Sequence, residues 1–276
     1  MRLRALVVAL GLLLLPGCSV TRLAYDNADV FLRWQANSYF DFQGEQSDEL
    51  DLRIAAFLAW HRSRALPEYA RFAEDAGRRM LRGIKREDLE WGYDAFRVQV
   101  RESLAAAAAE MADLLDRLGP EQLAHFERRL ADENRKFARE QLQGTVDERR
   151  KRRLQRSLDR LEDWFGPLDE AQAERVRLYG ERAPLFAELR DRDHKRRQSE
   201  LVAMLRAREA KRRLAQWAAA WEDDREPAYA AAARANRDEY YDLLLELDRM
   251  LSPAQRDRVA GRLREYGAMF DSFARR

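Results

Sequence analysis

Hydrophobic residues recur every three to four positions along nearly the whole chain, and no stretch sustains the strict alternation of a half-buried strand. The pattern predicts an all-α protein. Leu23, Val30, Phe31 and Trp34 fall on one face of a first short helix, and Leu50, Ile54, Phe57, Leu58, His61 and Ala65 form the stripe of a second. Pro67 suits the first turn of a third helix, which ends near Gly83. From Arg86 to Leu118 the spacing of Leu89, Tyr93, Phe96, Val100, Ala107, Met111 and Leu114 predicts the longest helix, about 50 Å at 1.5 Å per residue. Its Ala105–Ala109 run leaves room for another backbone to approach closely.

Start signals divide the remainder. Leu118-Gly119-Pro120-Glu121-Gln122, Leu168-Asp169-Glu170-Ala171-Gln172 and Leu251-Ser252-Pro253-Ala254-Gln255 each read Leu, cap, two residues, Gln. Asp169 and Ser252 are good N-caps, Gly119 is tolerated, and each glutamine stands where its amide can reach back to the cap. Thr145-Val146-Asp147-Glu148 is a further capping box directly after Gly144, opening a helix with Leu154, Leu158, Leu161 and Phe165 on its stripe. Pro184 and Pro227 should kink or break helices, and a last regular helix carries Val259, Leu263, Tyr266, Phe270 and Phe273. The three similar starts lie 50 and then 83 residues apart, too irregular for a solenoid. The expected architecture is an elongated multi-helix bundle of seven to nine amphipathic helices, with Gly144 the best subdomain boundary.

The N-terminal segment changes the picture of where this bundle works. Arg2 and Arg4 precede an apolar run from Ala5 to Leu15, and Leu15-Pro16-Gly17-Cys18 closes it. Eleven apolar residues are too few to span a bilayer, which takes about 20, whereas a basic start, an apolar middle and a small-residue cut site make a secretory signal. The closing tetrapeptide resembles the lipobox of bacterial lipoproteins. That resemblance implies removal of residues 1–17, diacylglycerol on the Cys18 thiol and acylation of the new amino group, enough chains for stable anchoring. Ser19, in place of an aspartate that retains such proteins at the inner membrane, implies an outer-membrane address facing the periplasm.

Processing also changes the charge. The chain has 51 Lys+Arg against 49 Asp+Glu, and Arg2 and Arg4 leave with the signal, so the mature side chains balance at 49 each. The basic excess belongs to targeting, and nucleic-acid binding is not expected. Cys18 is the only cysteine, so no disulfide is available to the mature chain.

No catalytic set is legible. His61, His125 and His194 share no metal-binding helical spacing, and there is no nucleophile elbow or glycine-rich phosphate loop. Acid pairs such as Asp147-Glu148 and Asp223-Asp224 read as solvated helix faces. The reading is therefore a non-enzyme without cofactor or metal. Trp60-His61-Arg62 marks a candidate ligand pocket, because His61 sits on an apolar stripe. Its plainer reading is a core imidazole bonded to a carboxylate such as Asp41 or Glu45. The tracts Arg149-Arg150-Lys151-Arg152-Arg153 and His194-Lys195-Arg196-Arg197 are either faces paired with acids, as Arg152 with Glu148 or Arg156 with Asp159, or contacts for an anionic envelope polymer.

The lipobox, Trp34-Gln35-Ala36-Asn37-Ser38-Tyr39-Phe40-Asp41-Phe42, Gln46, Trp60-His61-Arg62 and Leu66-Pro67-Glu68-Tyr69-Ala70 together resemble a family of uncharacterised lipoproteins of Gram-negative bacteria, known as a domain of unknown function. The resemblance implies an envelope address and a helical body, and carries over no functional residue except Cys18. The three Leu-x-x-x-Gln starts are loosely similar to the Leu-Thr-x-x-Gln motif of small helical periplasmic chaperones and stress regulators. Two roles follow as expectations: a lipid-anchored helical scaffold or binding module that docks an envelope protein or anionic polymer, and a membrane-tethered chaperone.

Overall fold

Helix boundaries follow the capping chemistry closely. Thr145, Asp169 and Ser252 accept the backbone N–H of Glu148, Gln172 and Gln255 at 3.2, 2.8 and 3.2 Å, and the side chains of those three residues accept the cap N–H in return. The computed structural model describes residues 18–276, with side chains described from Arg22 onward. The segment 1–17, read as the signal, and the Cys18 side chain lie outside the described residues.

The helices are α1 (Cys18–Asp26), α2 (Ala28–Phe40), α3 (Glu45–Trp60), α4 (Leu66–Leu81), α5 (Arg86–Asp116), α6 (Pro120–Phe137), α7 (Val146–Phe165), α8 (Glu170–Arg182), α9 (Ala187–Arg206), α10 (Ala210–Ala219), α11 (Pro227–Met250) and α12 (Pro253–Ala274). A π turn over His61–Ala65 joins α3 and α4 into one continuous rod, which leaves eleven separate helices among the described residues instead of the seven to nine expected. No strand occurs among the described residues.

Two of the extra breaks are silent in the sequence. Asn27 interrupts the first expected helix, and Arg208 separates α9 from α10 by taking a left-handed conformation (φ 55°) without a glycine. The expected break before Pro67 is absent. The proline lacks the N–H a regular helix would use, and Leu66 N–H instead reaches back five residues to the His61 carbonyl, so the rod continues with one wide turn. A second π turn, Ala138–Leu142, ends α6 just before Gly144.

Three groups of buried side chains hold the body together. The first takes Tyr39, Leu50, Leu114, Phe126, Met204 and Leu214 from α2, α3, α5, α6, α9 and α10. In the second, Leu66, Tyr69, Val100, Tyr266 and Phe273 join α4, α5 and α12. The third gathers Leu161, Val176, Leu247 and Ala260 from α7, α8, α11 and α12. Trp60 packs against the first two groups and Trp164 against the last two, so apolar contact is continuous. Helices on either side of Gly144 pack on one another: α12 lies along α4, and α10 along α5 beside the buried Ala107 and Ala108. The α4–α12 crossing is close because of two glycines. A Cβ on Gly267 would stand 3.3 Å from the Ala70 carbonyl, and one on Gly77 3.5 Å from that of Ala260.

Candidate functional site

The Trp60-His61-Arg62 tract lies at the junction of α3 with the π turn and meets the first described helix. Tyr25 of α1 reaches in so that its hydroxyl sits 3.1 Å from His61 Nδ1, and its ring stacks on Phe273 of α12 at 4.5 Å. His61 is 1% exposed, and the rings of Tyr25, Phe57, Trp60 and Tyr69 surround it with centroids 5.5–6.4 Å away. Burial, and then the nearby Arg62 charge, push the imidazole down to about 4. Burial pushes the Tyr25 phenol up to about 12 against a smaller opposing pull from Arg62. At neutral pH the phenol therefore donates to a neutral imidazole. His61 Nε2 is buried without a partner among the described residues.

The expected carboxylate partner is not the one found. Asp41 ends α2 in a left-handed conformation (φ 51°), accepts from Gln43, and Glu45 begins α3; the tyrosine takes the imidazole instead. The three tract residues are brought together as part of a packed aromatic cluster, with Trp60 and Arg62 half-buried. The cluster fastens α1 to the body, and an Asp26–Arg276 ion pair adds a second fastening between α1 and the end of the chain. Tyr25 was invisible to the hydrophobic pattern because it falls between the residues of the expected stripe.

That stripe faces outward. Leu23, Val30 and Trp34 are 67, 63 and 62% exposed, with Phe31 beside Trp34. These four, within twelve residues of chain, are half of the eight large hydrophobic side chains exposed among the described residues. The inward face of α2 is a different register, Ala28, Leu32, Ala36 and Phe40, which packs on the first core group. Residues 23–34 thus display carbon to the outside while their opposite face is docked.

The repeated glutamines do more than cap. Gln172 and Gln255 form a reciprocal amide pair, 3.0 Å in both directions. Each also donates across to the other hairpin, Gln172 to the Met250 carbonyl and Gln255 to that of Pro167, both at 3.1 Å. Gln122 repeats the arrangement with Gln46 (2.7 and 3.4 Å) and donates to the Asp41 carbonyl. The motif therefore ties helix hairpins end to end, a role that the cap spacing alone does not reveal.

The two basic tracts differ in their partners. Lys195 meets Asp191, Arg196 meets Asp193, Glu200 and Asp224, and Arg197 meets Asp224 and lies over Trp217. In the first tract, Arg149 pairs with Glu188, whereas Arg152 bonds the Gln143 carbonyl and Arg153 bonds the carbonyls of Gly180, Ala183 and Pro184. The expected Arg152–Glu148 pair is replaced because Glu148 is engaged in capping Thr145. The three histidines are dispersed: His125 bonds the Ser38 carbonyl, and His194 neighbours Phe137. Asp223 receives Arg97 and Arg101 across the α5–α10 region. Among the described residues no group of three His, Cys, Asp or Glu side chains is placed to hold a metal ion, and no helix is long and apolar enough to cross a membrane.

Neither a curated protein nor a solved structure matches the chain. One family model matches residues 38–229, a span that takes in His61 with Phe57, Trp60 and Tyr69, the Gln46–Gln122 pair and both basic tracts, and leaves out Tyr25 and α12.

Proposed function

We propose, from the premise that the chain belongs to DUF6279, a family of unknown function, that it is a lipid-anchored envelope lipoprotein serving as a non-enzymatic helical scaffold or binding module. Cys18 carries the lipid, and the body sits at the periplasmic face of the outer membrane. The observation that carries this reading is the junction at Cys18. An apolar segment closes on that cysteine, α1 starts on it, Tyr25 docks α1 on the body, and Leu23, Val30, Phe31 and Trp34 of α1 and α2 face outward. A docked α1 holds the body next to its anchor, and an apolar face beside the acyl chains adds burial at about 25 cal/mol per Å² where it meets the bilayer boundary.

The test is the intact mass of the protein recovered from membranes of a Gram-negative host expressing the full chain. Loss of residues 1–17 together with acyl mass on Cys18 is expected, and Cys18→Ser should abolish both. A membrane-recovered chain with an unmodified Cys18 overturns the reading. The same exposed apolar face favours a second reading, a tethered chaperone that holds unfolded clients. Suppression of client aggregation by the parent, lost in Trp34→Ser, is its signature.

A further inference from the structure

The outward apolar face does not end with α2. Arg33 of α2 pairs with Asp51 of α3, and the next residue in each helix, Trp34 and Leu52, is 62 and 72% exposed. From Leu52 the exposed side of α3 continues at helical spacing through Ala55, Ala56 and Ala59, with no charge among them. The buried stripe of the same helix, Leu50, Ile54, Phe57 and Leu58, occupies the other side. With Leu23, Val30 and Phe31, this puts five of the eight large exposed hydrophobic side chains of the described residues on α1 and the α2–α3 hairpin.

Unpaired cations stand at one end of this face. The exposed side of α3 runs past Ala59 into Arg62, Ser63 and Arg64 of the π turn, and the Tyr25–His61 contact brings α1, with Arg22, to the same turn. Arg22 and Arg64 are exposed and Arg62 is half-buried, and none of the three has an ion pair or hydrogen bond among the described residues. The acids close by in these segments are taken: Asp26 meets Arg276, Asp51 meets Arg33, and Glu68 meets Arg71. Of the remaining acids in α1 to α3, only Asp29 lies at this end. Asp41, Glu45 and Asp48 belong to the far end of the hairpin, about 20 Å away along α3 at 1.5 Å per residue.

We propose that this face docks on a bilayer surface rich in anionic phospholipid. The proposal rests on the membrane address given above and adds the class of lipid. One partner meets both parts of the surface. Acyl carbon takes Phe31, Trp34 and Leu52, and headgroup phosphates take guanidiniums that otherwise face water without a counterion. Long arginine stems keep the charged ends at headgroup depth while the apolar side chains sink past them. The face needs no lipid on Cys18 to bind.

The experiment uses the chain from position 18 with Cys18→Ser, which keeps all three core groups and carries no lipid. Co-sedimentation compares vesicles of equal parts phosphatidylcholine and phosphatidylglycerol with vesicles of phosphatidylcholine alone. Binding at least about tenfold stronger to the anionic vesicles is expected, and it should fall with added salt. R22Q/R64Q should lose about tenfold on anionic vesicles with an unchanged melting curve. W34S/L52S should lose at least as much. R150Q/K151Q, an equal loss of exposed charge on α7, should bind as the parent does. Equal binding to both vesicles overturns the proposal, and so does parent-like binding by a folded R22Q/R64Q or an equal loss in R150Q/K151Q. Binding to neither vesicle also overturns it, and self-association in sedimentation equilibrium would then assign the face to a second copy. Because this chain carries no lipid, an unmodified Cys18 in cells would overturn the lipoprotein reading and leave these results standing.

Discussion

Two buried polar contacts join segments distant in the chain, and they are built on opposite terms. The Gln172–Gln255 pair is complete: each amide oxygen accepts twice, each amide nitrogen donates twice, and Gln172 is 1% exposed. The Tyr25–His61 contact is equally dry but incomplete, because Nε2 of the imidazole has no partner among the described residues. A fully satisfied network holds a shape at little desolvation cost, whereas a half-satisfied one is sensitive to anything that changes its protonation. The first fixes the meeting of two hairpins. The second fixes the helix that begins at Cys18, and only the second has a titratable group in the contact.

The largest effect should come from breaking the complete pair. Gln172→Ala strands the Asp169 N–H, the Met250 carbonyl and half of Gln255, and should lower unfolding free energy by about 3 kcal/mol in urea titration. Acidification comes next and acts on the other contact. The folded imidazole titrates near 4 and the unfolded one near 6.5. The unfolded chain therefore takes a proton first as pH falls, and stability conferred above pH 6.5 is lost towards pH 4. His61 accounts for about 2 kcal/mol of that loss between pH 7 and 5, and His61→Phe should flatten the profile by that amount, leaving the similar slope of His194, which burial also holds down to about 4. Gln122→Ala should cost about 1–2 kcal/mol, less than Gln172→Ala, because Gln122 is half-buried and water can replace lost partners. Tyr25→Phe removes one hydroxyl from a stacked ring and should cost about 1 kcal/mol. Its sharper readout is faster amide exchange confined to α1. Uniform exchange across the molecule would erase the distinction between fixing the body and fixing α1.

The helical fold and most of its boundaries were legible because local chemistry determines them. The caps at Thr145, Asp169 and Ser252 stand where their side chains can reach the third residue on, and Pro227 opens α11 at the position a helix tolerates best. The stripe Leu50–Ala65 is buried as its spacing requires. What the pattern could not show depends on partners far along the chain. Leu23, Val30 and Trp34 share the periodicity of a core stripe, yet the neighbour that would cover them lies on the other side of α2. The fate of the two basic tracts rests on Glu188 of α9 for the first and Asp224 of the α10–α11 turn for the second, and the amide pairs on glutamines more than seventy residues apart. Arg208 enters a left-handed turn that composition does not announce.

The orientation of α1 and α2 on a membrane is the most direct measure of the whole reading. Cys18 is the only cysteine, so once it is acylated a new cysteine accepts a spin label alone. Val30→Cys and Val98→Cys place that label on two exposed positions, one on α2 and one on α5. With the mature protein on vesicles, the label at position 30 should be shielded from an aqueous nickel chelate and reached by dissolved oxygen, while the label at 98 stays open to nickel. Equal exposure of both labels to nickel would contradict a body held at the bilayer by its first helices.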